Sequence, residues 1–186
     1  MIPGLLPIFP AKMLINRQKH YGLRLSSVCS FVRTLRRTLH LGRREFNVCF
    51  VDDCGIQRLN AAFRGKDCAT DVLSFPWEAA STVSSPLKRP SGRSQQRLGS
   101  RGRSPWPARE FSGFLGDVVI SVDTARSNAR QEGHSTLNEI RWLILHGVLH
   151  LLGYDHERDH GEMTQIELRV REQLGISRAR SRRLRK

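Results

Sequence analysis

The chain has 186 residues, of which 39% are hydrophobic and 26% charged, enough for one domain whose core needs neither disulfides nor a structural metal. Its 31 Lys and Arg against 17 Asp and Glu give a net charge of +14 and a pI near 11.0, an excess that points to a polyanionic partner, either nucleic acid or an anionic membrane surface. No apolar run approaches the ~20 residues that a membrane-spanning helix needs.

The opening MIPGLLPIFPAK is apolar but broken by prolines and lacks an early basic region, so residues 1–12 are expected to be a disordered extension and not a signal peptide. Met13 is an alternative start. A first strand is expected over Leu14 to Gln18. In SSVCSFVRTLRRTLHLG, Val28, Phe31, Val32, Leu35 and Leu39 share one helical face, with Ser26 or Ser27 as cap and Gly42 as stop. FNVCFVD (46–52) is dense in strand formers, and Asp53 can cap a following helix whose Ile56, Leu59, Ala62 and Phe63 share a face and which ends near Arg64 and Gly65.

DVLSF (71–75) and DVVIS (117–121) are further strands, the second followed by Asp123 as a helix cap. Between them, residues 79–112 are dominated by Ser, Pro, Gly, Arg and Gln, too polar to offset their ordering entropy, and are expected to be a mobile basic loop inside one domain. The chain closes on RARSRRLRK, a basic tail over 177–186 carrying Arg178, Arg180, Arg182, Arg183, Arg185 and Lys186. The domain proper is thus expected over 13–176. Cys29, Cys49, Cys54 and Cys68 show no CxxC spacing and read as structural thiols in a reducing compartment.

The best-defined element runs from Leu137 to Leu152, apolar on nearly every side, as suits a helix central to the core. Thr136 and Glu139 form a TxxE capping box at its start, and Gly153 supplies its stop. This helix carries HGVLHLLGYDH (146–156). His146 and His150 project from one face a turn apart, and a reversal after Gly153 can bring His156 to the same point. Each histidine alone reads as an ordinary core or surface residue. The full HxxxHxxGxxH pattern points instead to three nitrogen ligands with a fourth position open to solvent, which is the arrangement of a catalytic zinc site.

The spacing is that of the metzincin peptidases, whose HExxHxxGxxH places a general base second. Here that position is Gly147, which has no atom to accept a proton, and Glu139 lies two turns away.

HGVLHLLGYDH, LNAAFRGKDCATDVLSFP (59–76) and LGDVVIS (115–121), in that order, resemble the YbeY family of bacterial and organellar rRNA maturation factors, described as metal-dependent single-strand endoribonucleases. The resemblance runs from about Met13 to Gly175. It implies an α+β single domain, with a small mixed central sheet packed with helices and the motif on a central helix. It also implies one Zn2+ held by His146, His150 and His156, and an essential arginine that by motif position is Arg64. The implied role is cytoplasmic: small-subunit rRNA 3′-end processing and ribosome quality control, with rRNA, the small ribosomal subunit and ribosome-associated proteins as partners and no membrane. The N-terminal extension, the long basic loop and the arginine-rich tail depart from the family pattern, as does Cys68, where a Lys or another polar residue is expected.

The chemistry that follows is metal-assisted phosphodiester hydrolysis. Arg64 suits bidentate contact with a phosphate and is the catalytic candidate, while Lys66 is a second candidate for substrate contact. Asp155, beside a candidate ligand, either orients an imidazole or stabilises the turn. Two other readings stand beside the nuclease: a ribosome assembly factor whose zinc is mainly structural, and a metallopeptidase.

Overall fold

The computed structural model describes residues 13–77, 113–155 and 159–176. Within them the elements run β1 (Leu14–Asn16), α1 (Leu25–Thr38), β2 (Glu45–Val51), α2 (Asp53–Arg64), β3 (Val72–Pro76), β4 (Phe114–Ser121), α3 (Val122–Gln131), α4 (Thr136–Leu151) and α5 (Glu162–Gln173). The expected extension, loop 79–112 and tail lie outside the described residues.

The β-branched and aromatic runs of β2 and β4 pair in parallel at the centre of a four-stranded sheet of order β1-β2-β4-β3. β1 is parallel to β2, and β3 is antiparallel to β4, so the sheet is mixed and the fold is the expected α+β. Strand alternation sorts the side chains onto two faces. Phe46, Val48 and Phe50 of β2 with Val118 and Ile120 of β4 enter the main core, while Cys49, Val51, Val119 and Leu73 meet Ile56 of α2 on the other face.

On the main face lies α4. Its Ile140, Ile144, Leu145, Val148 and Leu149 are fully buried, each stabilising the fold by about 1.5–3 kcal/mol as an upper estimate. Two glycines let it sit close. A Cβ on Gly116 of β4 would meet the Phe75 carbonyl oxygen at 2.2 Å and Leu151 Cδ2 at 3.0 Å, and a Cβ on Gly147 would meet Val118 Cγ1 at 2.6 Å. Gly153 (φ +90°) follows the helix, as expected of its stop. Among the described residues no helix is long and apolar enough to cross a membrane.

The helix starts differ from expectation in detail. α1 begins before Ser26, at Leu25, and no side chain caps it. Asp52, not Asp53, caps α2, its Oδ1 accepting from Gly55 N at 2.7 Å. Asp53 instead accepts from Ser121 Oγ (2.5 Å) and Thr124 Oγ1 (2.7 Å), which ties α2 to the start of α3. Ser121, not Asp123, caps α3, and Ser135, not Thr136, caps α4. Glu139 takes no part in a capping box. It is wholly buried, with Oε2 3.1 Å from His134 Nε2. Cys54 and Cys68 are exposed, so a structural thiol describes Cys49 but not these two.

Candidate metal centre

The two histidines of α4 meet. His146 Nε2 and His150 Nε2 stand 3.2 Å apart, with the rings nearly perpendicular at 76°. Two nitrogens bound at ~2.0–2.1 Å to one tetrahedral ion are separated by about 3.3 Å, so this gap fits a zinc edge. A single shared proton fits the same gap.

The far side of His146 is fixed by α5. Its Nδ1 lies 3.0 Å from Glu167 Oε2, and Glu167 Oε1 accepts the indole N–H of Trp142. Arg171 adds its Nη1 at 3.7 Å from the same carboxylate and lays its guanidinium over the Trp142 ring at 4.9 Å. Burial works to raise the Glu167 pKa, but the hydrogen bonds from His146 and Trp142, with the electrostatic pull of the His146 ring and of the Arg171 charge, outweigh it and hold the carboxyl below its ordinary value. An ionised Glu167 accepts the proton of Nδ1, which leaves the lone pair of His146 on Nε2, facing His150. That is the usual way a carboxylate prepares an imidazole to bind a metal.

Among the described residues no group of three or more His, Cys, Asp or Glu gathers into a metal site. His156, the third expected ligand, lies outside those residues. Asp155 is at the turn, where its carbonyl accepts from Asp159 N at 2.9 Å.

A model of the family described as Endoribonuclease YbeY matches residues 15–175. The chain belongs to that family. It is 40% identical to the Endoribonuclease YbeY of Nautilia profundicola over 133 residues, which cover 72% of this chain and 74% of that one. The Solibacter usitatus member is 38% identical over 154 residues, covering 83% of this chain and 82% of its own. The fold also resembles the solution structure of a Thermotoga maritima protein, with a TM-score of 0.53 at 21% identity, covering 94% of this chain and all of that one.

Set against this YbeY fold, Gly147 has a packing reason. It turns toward the sheet, and Ser74 Oγ of β3 donates to its carbonyl oxygen at 3.1 Å, so the position that holds the base in metzincins faces β3 and β4 here. Arg64 is exposed at the last turn of α2, with the equally exposed Lys66 just beyond it. α2 covers the face of the sheet opposite α4. The edge strand β3 stands between the two: Ser74 reaches Gly147 on one side, and Phe75 meets Phe63, the neighbour of Arg64, on the other.

Glu167, Trp142 and Arg171 were not legible as site residues. Glu167 is 21 positions from His146 and belongs to no motif; only the docking of α5 on α4, through Met163, Ile166 and Val170, brings it into place.

Proposed function

We propose that this YbeY-family chain is a zinc-dependent endoribonuclease that cuts single-stranded RNA in small-subunit rRNA 3′-end maturation and in ribosome quality control. The observation that carries the reading is the convergence of the His146 and His150 Nε2 atoms at 3.2 Å, with Glu167 holding the first ring from behind. His146, His150 and His156 would hold the ion. When bound, zinc supplies Lewis acidity to a phosphoryl oxygen and a water of lowered pKa. The protein's own part is to hold the substrate and balance its charge.

The Arg64 guanidinium pairs with non-bridging oxygens of the scissile phosphate and steadies the charge that develops on them. Lys66 adds a second cation for the neighbouring phosphate. RNA brings its own nucleophile in the 2′-hydroxyl, whose proton solvent would accept, so strand cleavage does not depend on a base at position 147 to activate a water, as peptide hydrolysis on the metzincin pattern does. The expected partners are rRNA and the small ribosomal subunit in the cytoplasm, with the basic charge of the chain supplying salt-sensitive attraction to phosphate.

The test is to incubate zinc-loaded protein with single-stranded RNA and with casein, beside Arg64→Ala and His150→Ala controls. Cleavage of RNA alone, lost in both variants, supports the nuclease. Retained zinc with no cleavage by the parent supports an assembly factor instead.

A further inference from the structure

The apolar stripe of α2 ends in an anomaly. Ile56 is fully buried and Leu59 half-buried, but Phe63, the last large residue of that face, is 60% exposed. The Phe63 ring meets the Phe75 ring of the edge strand at 5.1 Å and 70°. This edge-to-face brace fixes the ring plane at little entropic cost. Arg64 and Lys66 follow at once, both exposed. A braced, solvent-facing aromatic among cations is the combination by which proteins take hold of an unpaired nucleotide, the ring stacking on the base and the cations pairing with the backbone.

We infer that Phe63, braced by Phe75, is the stacking platform for one unpaired base of the strand whose phosphate Arg64 contacts. The inference rests on the RNA reading given above. The occupant is a base and not an apolar protein segment, because the two residues that follow the ring on either side of Gly65, Arg64 and Lys66, are exposed cations suited to the phosphates of the same strand. The place also suits the chemistry: β3 lies between Phe63 and the His146 helix, its adjacent residues Ser74 and Phe75 touching Gly147 and Phe63 respectively. A base held at Phe63 therefore sets the register of the strand that rounds this edge toward the histidines. Duplex RNA, whose bases are already stacked, has none to offer, which makes the platform a device for single-strand preference.

The test measures binding of the full chain to a 2′-O-methyl single-stranded oligoribonucleotide, and to the same strand with abasic nucleotides, across a range of salt. Phe63→Ala and Phe63→Leu are expected to weaken binding roughly 5- to 150-fold without changing the salt slope, and Phe63→Trp and Phe63→Tyr to preserve it. An abasic strand is expected to weaken the parent but not Phe63→Leu. Equal affinities of the parent and Phe63→Leu, with or without a change in melting temperature, would overturn the inference while leaving the RNA reading standing. Failure of the parent to bind any strand would remove both.

Discussion

Gly147 lies so close to Val118 that a Cβ built on the glycine would stand 2.6 Å from the valine Cγ1. Val118 is fully buried and β-branched, so it cannot swing aside. Overpacking of this kind costs about 1–3 kcal/mol, against about 1 kcal/mol gained when alanine replaces glycine in a helix. Gly147→Ala is therefore expected to lower the unfolding free energy by up to about 2 kcal/mol in urea titrations. Gly147→Glu should do far worse by burying a carboxylate, and should not create a peptidase.

The bond from His146 to Glu167 makes a separate prediction. Glu167→Ala removes the acceptor that keeps the His146 proton on Nδ1, and loss of such a partner lowers metal affinity about 10- to 100-fold. Glu167→Gln, which keeps an oxygen for Nδ1, should fall between the two. Competition with a chromophoric chelator gives the numbers; an unchanged zinc affinity in Glu167→Ala would mean that the ring is held by something else.

Arg64 is exposed, and no hydrogen bond or ion pair holds its guanidinium among the described residues. Its removal should leave stability within about 0.5 kcal/mol. Cleavage of single-stranded RNA should drop roughly 100- to 1,000-fold in Arg64→Ala, as on loss of a donor to developing charge, and Arg64→Lys should recover only part of it. Initial rates at saturating zinc would show this, and a full rate in Arg64→Ala would exclude contact with the scissile phosphate.

Glu139 sets a pH dependence. Burial pushes its carboxyl above the ordinary value; the His134 charge and the Asn128 amide oppose the rise, and Asp71 and Glu132 add to it. A carboxyl raised in the folded state contributes stability that is fully present below about pH 4.3, the unfolded value, and is lost as pH climbs through the folded value. The parent should accordingly lose stability relative to Glu139→Gln as pH rises from about 4.3. Denaturant midpoints of the two proteins across that range provide the check, and parallel curves would contradict it.

The strands and the central helix were legible because their signals are local. β2 and β4 are runs of Val, Ile, Phe and Cys, and α4 is apolar all round, so period and composition were enough. Caps were legible only to within a residue or two. Asp52 and Asp53 both offer a capping oxygen, and what diverts Asp53 is its contact with Ser121 and Thr124, some seventy positions away. Phe63 looked like core for the same reason: a helical stripe tells which way a side chain points, but not whether the sheet extends far enough to cover it. The pairing of His146 with His150 followed from the four-residue spacing, whereas Glu167 depends on how α5 docks.

The most direct test of a metal centre built on α4 is the zinc content and affinity of the purified full chain beside His146→Ala and His150→Ala. One zinc per chain in the parent, with affinity collapsing in either variant while helix content is kept, is the expected result. Zinc held as tightly by His150→Ala as by the parent, or none bound by the parent at all, would contradict it.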